Sequence, residues 1–188
     1  MSRIRYRKLS DQEILKNIEE EAYRIQLAYR GCAQTTLKTL QDNFGIGDLL
    51  TFRAASAFIS GLGRRGDVCG ALTGGLFAIG IMFGREDLLE PGEPVEGGES
   101  NYQKCNYLAG ELYDNFKKEF GSVRCWEMQD KIFGRHFDAR TPEVKELKRT
   151  GELFNILSVE CCKVVQKGAR LAAEIILREM REERKSYL

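Results

Sequence analysis

Apolar residues recur at helical spacing along most of this chain, and no segment sustains the apolar–polar alternation of a half-buried strand. That feature confines the fold to packed helices. Ser10-Asp11-Gln12-Glu13 has the Ser-x-x-Glu form of a capping box, in which side chains satisfy the free amides of a helix start. Behind it Ile14, Ile18, Tyr23, Ile25 and Ala28 are expected to share one apolar face up to Arg30, where Gly31 breaks the run. A second helix is expected from Cys32 to Phe44–Gly45, with Ala33, Leu37 and Leu40 inward, and a third over 48–60 with Asp48 as its cap. A Gly-rich turn at 61–67 precedes an apolar helix over 69–84. Pro91, Pro94 and the Gly and Glu around them read as an exposed loop at about 86–99. The next helix carries Tyr102, Cys105, Leu108, Leu112, Tyr113 and Phe116 and stops at Gly121-Ser122. Thr141-Pro142-Glu143 is a further helix start, and the last helix is expected from about Ser158 to the charged residues 181–185. The expected fold is all-α: a compact multi-helix domain of about six to eight helices, one domain over residues 1–188.

A chain of 188 residues can bury about 70% of the surface that its unfolded form exposes. A net charge of +1 offers no basic excess for a nucleic acid or an anionic membrane, so neither is expected as a partner. The longest apolar stretch, 69–83, is too short to span a bilayer, so no membrane insertion is expected. The basic residues before Ser10 lead into charged sequence rather than an apolar segment, so no secretory signal is read. The expected location is cytoplasmic, where thiols stay reduced. There the six Cys read as metal-binding, catalytic or buried side chains rather than as disulfides.

Cys32, Cys69, Cys125 and Cys161 each sit near an expected helix start, just after a Gly-, Ser- or Asp-containing turn. Free amides and the positive end of a helix favour a thiolate, which suits metal ligation or redox reactivity. The spacings are long and contain no Cys-x-x-Cys, so a shared site and scattered buried thiols both remain open on spacing alone. Cys105 lies on an apolar stripe and reads as core. Cys162 follows Cys161 directly, and successive helical positions point roughly 100° apart, so one of the pair is expected to face a common site.

Gly61-x-Gly63-x-x-Gly66 matches a dinucleotide-binding string, but the segment before it reads as helix instead of the strand that such a site needs, so no nucleotide is expected. Gly70, Gly74, Gly75, Gly80 and Gly84 each cost a helix about 1 kcal/mol relative to Ala, which implies that something approaches this backbone closely. His136, the single histidine, reads as a surface or turn residue, and Trp126 as core or as a shield for a site beside Cys125.

Arg65-Gly66-Asp67-Val68-Cys69-Gly70-Ala71-Leu72-Thr73-Gly74 resembles the Cys-Gly-Ala-x-x-Gly signature of the redox-active family called C_GCAxxG_C_C. Gly31-Cys32-Ala33-Gln34 is similar to the family's first Cys segment, Phe120-Gly121-Ser122-Val123-Arg124-Cys125 to its third, and Cys161-Cys162-Lys163-Val164-Val165 to its fourth. The resemblance implies an all-helical domain with four characteristic cysteines, here Cys32, Cys69, Cys125 and Cys161. A related domain in split-Soret cytochromes implies a homodimer and an iron–sulfur site. The haem-attachment motif of those proteins is absent, so haem is not expected. Two departures from the family stand out: the loop at 88–99, and Cys162 where members often have Pro.

The leading expectation is a redox-active protein that binds an iron–sulfur cluster through Cys32, Cys69, Cys125 and Cys161 and passes electrons to a redox partner. The alternatives are a thiol–disulfide redox protein using the same cysteines, a structural zinc site held by the four thiolates, and a helical interaction module with incidental thiols.

Overall fold

Each helix boundary has a local chemical cause. The computed structural model describes residues 9–88 and 100–186. Helix α1 (Asp11–Tyr29) starts on the full capping box: the Glu13 amide donates to Ser10 Oγ, and the Glu13 carboxylate accepts from the Ser10 amide. It ends where Arg30 and Gly31 both take positive φ, 62° and 93°. Helix α2 (Cys32–Phe44) follows at once and ends at left-handed Gly45. Asp48 caps the short α3 (Leu49–Ala54), which tightens into a 3-10 turn, Ala55–Phe58. Helix α4 (Gly70–Phe83) comes next, then α5 (Asn101–Phe120), capped by Ser100, and α6 (Cys125–Phe133). Thr141 caps α7 (Pro142–Thr150), and Gly151 separates it from α8 (Glu152–Ser186). These eight helices and no sheet make up the described residues, so the chain is all-α. The one extended pairing among them is an antiparallel bridge between Val68 and Arg124.

The core is built around α4, which packs on α2, α5 and α8, while α1 lies along α8. Ala71, Leu72, Ala78 and Ile79 of α4 are fully buried. Its glycines face different neighbours. A Cβ at Gly74 would collide with the Ala33 carbonyl of α2, and one at Gly75 would stand 2.9 Å from Leu112 Cδ2 and 3.1 Å from Ala172 Cβ. A Cβ at Gly168 of α8 would in turn stand 3.1 Å from Ala71 Cβ. Dispersion gained at such close backbone approach offsets the helix propensity that each glycine gives up.

Several boundaries and faces differ from expectation. The buried side of α1 is Ile14, Leu15, Ile18, Ala22 and Gln26, so Tyr23, Ile25 and Ala28 lie off it. The polar Gln26 continues the four-residue spacing of Ile18 and Ala22, and the expected face bent away from it. On α5 the buried row is Leu108, Leu112 and Phe116, with Tyr102 and Tyr113 exposed. Helix α8 begins at Glu152, not near Ser158. Ser158 suggests a cap, but its hydroxyl donates to the Asn155 carbonyl within the helix and its helical hydrogen bonding continues. The loop at 86–99 lies mostly outside the described residues. No described helix is long and apolar enough to cross a membrane.

Candidate four-thiol site

Four distant segments deliver the cysteines to one place. Cys69 is the N-cap of α4 and Cys125 the first residue of α6. The short bridge beside them sets their separation: the Cys69 amide donates to the Val123 carbonyl and the Cys125 amide to the Asp67 carbonyl, both at 2.8 Å. The Trp126 amide extends the ladder to Gly66 O at 3.1 Å. Cys32 opens α2, and its Sγ lies against the backbone of α4, where a Cβ at Gly70 would occupy the sulfur's own space. Cys161 comes from the third turn of α8.

These four cysteines line a single cavity of about 170 Å³, whereas Cys105 and Cys162 do not reach it. Cys162 is fully buried on another side of α8, and Cys105 is half-buried at the edge of the core. The walls are apolar, with Ile59, Met128, Ile132, Phe133, Leu153 and Leu157 among them, and Phe154 stands at the rim. Gln129 braces one thiol. Its Nε2 donates to Cys125 Sγ at 3.6 Å, and its Oε1 accepts from the Phe137 amide at 2.9 Å.

Position at a helix start does not set the acidity of these thiols. Cys161 is mid-helix, and burial governs the other three. Burial pushes the Cys32 thiol up, although backbone groups at Ser60, Ala33, Cys32 and Gly70 pull the other way. Cys69 is raised well above the ordinary thiol range by burial and then by the neighbouring Cys32 and Cys125. Cys125 and Cys161 are each pushed up to about 12, by burial first and the Cys32 charge second. An apolar wall and like charges outweigh the amide dipoles. Burial and neighbouring thiols thus work against the thiolate that a helix start favours.

The cavity also holds two polar residues that the sequence did not single out. Gln26 is 5% exposed, and its Oε1 has no hydrogen-bond partner. Arg30 stacks on Phe154, 3.1 Å from the ring centroid, with buried Nε and Nη2 that also lack partners. The available signal was a polar pair four residues apart, continuing the apolar row of Ile18 and Ala22.

The remaining candidates lie outside the cavity. Trp126 sits on the backbone of Gly66 and stacks on His136 at 4.7 Å. His136 is exposed and pairs with Asp130 at 3.0 Å. The Gly61–Gly66 stretch is a left-handed turn, with positive φ at Ser60, Gly61, Leu62, Gly63 and Arg64 in succession.

The signature residues thus have separate duties: Cys69 faces the cavity, Gly70 admits Cys32 Sγ, Ala71 meets Gly168, and Gly74 admits α2. A family model described as "Putative redox-active protein (C_GCAxxG_C_C)" matches residues 31–175, most of the chain. This protein belongs to the C_GCAxxG_C_C family. The matched span contains all four cavity cysteines of this C_GCAxxG_C_C protein and begins just after α1. No curated protein and no solved structure shows a significant match to it.

Among the described residues, no three Cys, His, Asp or Glu side chains lie close enough to hold one metal ion. The C_GCAxxG_C_C thiols surround a space instead of a point. A mononuclear zinc site needs four ligands about 2.0–2.3 Å from one ion, whereas a cluster shares its thiolates among several irons. The donor set that could hold a cluster is four thiols with no carboxylate, among apolar walls and one partly buried cation.

Proposed function

We propose that this protein is an electron carrier that holds an iron–sulfur cluster on Cys32, Cys69, Cys125 and Cys161. The observation that carries the reading is the convergence of four thiols on one apolar cavity. Each resists ionisation because it is buried, and Cys69, Cys125 and Cys161 also because Cys32 is near. All four ionise together only when positive charge enters the cavity, and thiolate ligation to iron supplies it.

The same acidity weighs against a thiol–disulfide enzyme. The attacking group in such exchange is the thiolate. Burial pushes the Cys125 and Cys161 thiols up to about 12, away from the attacking thiolate form.

When bound, a cluster supplies a one-electron couple. The chain's part is to present four sulfurs from α2, α4, α6 and α8, to exclude water with Ile59, Met128, Phe133 and Leu157, and to orient Cys125 through Gln129. Anaerobic reconstitution with iron and sulfide tests this. The expected product is brown, with iron and sulfide bound in stoichiometric amount and bleaching on reduction. Protein that stays colourless and iron-free, or that takes up stoichiometric zinc in preference, overturns the reading.

A further inference from the structure

We propose that Arg30 is the positioning residue that sets the charge balance of this site, raising the reduction potential of a thiolate-ligated cluster held there. The inference rests on the iron–sulfur reading. Arg30 is the one charged residue among the described residues lining the cavity, and two of its guanidinium nitrogens are buried with no hydrogen-bond partner. Buried donors left unpaired are destabilising, and more so when charged. A chain retains such a group where a ligand completes it.

Two further observations agree. Arg30 adopts φ 62° and ψ −179°, a backbone region that is essentially confined to glycine and strained for other residues. Gly31 follows immediately, yet the position that aims a side chain at the cavity carries Arg. A fixed cation is poorly matched to neutral thiols and well matched to thiolates. Phe154 fixes the guanidinium plane from α8, and Gln26, one helical turn earlier, brings a second unpartnered buried group to the same wall.

Adding an electron to a thiolate-ligated cluster adds negative charge, so a nearby fixed cation favours the reduced form. The experiment compares reconstituted wild type, Arg30→Met, Arg30→Lys and Arg30→Gln by redox titration of the visible band. Iron, sulfide and helical circular dichroism are measured on each sample. In Arg30→Met the reduction equilibrium is expected to weaken about tenfold, a fall of about 59 mV for a one-electron couple. Arg30→Lys recovers most of that shift, whereas Arg30→Gln, which keeps donors without charge, does not.

An unchanged midpoint in loaded Arg30→Met overturns the proposal, as does Arg30→Lys behaving like Arg30→Met. If Arg30→Met folds but loads no cluster while Arg30→Lys loads, the requirement for charge is upheld. If neither loads, Arg30 serves folding alone and the proposal fails. Failure of wild type to take up iron and sulfide is a separate result that removes the cluster reading itself.

Discussion

One substitution made at two places on α4 should change stability in opposite directions. At Gly80 a Cβ meets nothing within 4 Å. Ala there gains the helix propensity that Gly lacks, and stability should rise by about 0.5–1 kcal/mol. At Gly70 the added carbon collides with Cys32 Sγ and stands 2.9 Å from Ala33 N and 3.1 Å from Phe58 O. The last two are backbone atoms that no rotamer change can move. Gly70 is also the first residue of α4, where interior propensity counts for little. Overpacking of this kind costs about 1–3 kcal/mol. With a urea slope of about 2 kcal/mol/M, the Gly70→Ala midpoint should fall by about 0.5–1.5 M and the Gly80→Ala midpoint should rise. Displacement of Cys32 should also cut iron uptake by Gly70→Ala, with Gly80→Ala unaffected. A Gly70→Ala midpoint at or above that of wild type would refute the close approach of α2 to α4 at the cysteine.

Three further expectations can be checked on the same protein. Because native Cys125 and Cys161 keep their protons to about pH 12 while unfolded thiols lose theirs near 9, metal-free stability should be full below pH 9 and fall between about 9 and 12. Urea midpoints across that range test this, and a flat profile would contradict the buried thiols. Cys161→Ala should abolish iron uptake and leave the fold intact. Cys162→Ala should keep the iron and lose about 1–2 kcal/mol, since Cys162 is fully buried away from the cavity; the reverse pattern would exchange their roles. Leu62, at φ 56° in the left-handed turn and partly exposed, should gain about 0.5–1 kcal/mol on mutation to Gly. A loss on thermal melting would show that its side chain packs more firmly than its exposure implies.

Helix starts were legible wherever a short polar side chain caps them, as at Ser10, Asp48 and Thr141, because capping is a contact within four residues. The same local reasoning failed at Ser158, where an identical residue type turns its hydroxyl back into its own helix. The apolar face of α1 was misplaced because a polar residue at Gln26 is legible as buried only when the cavity opposite it is seen. The amide dipole at a helix start is a local property legible in the sequence, whereas the burial that works against a thiolate belongs to the whole fold.

The sequence by itself determined that this chain is helical, where most helices begin, and, through its family motif, singled out the four of six cysteines that line the cavity. Those properties rest on periodicity and on short-range hydrogen bonds. Only the tertiary structure decided that four thiols separated by up to 129 residues (Cys32 to Cys161) share one cavity. It also decided that burial raises their pKa values, and that Arg30 faces them with two nitrogens lacking hydrogen-bond partners. Distances across helices and the dielectric of an apolar cavity exist only once α2, α4, α6 and α8 have packed.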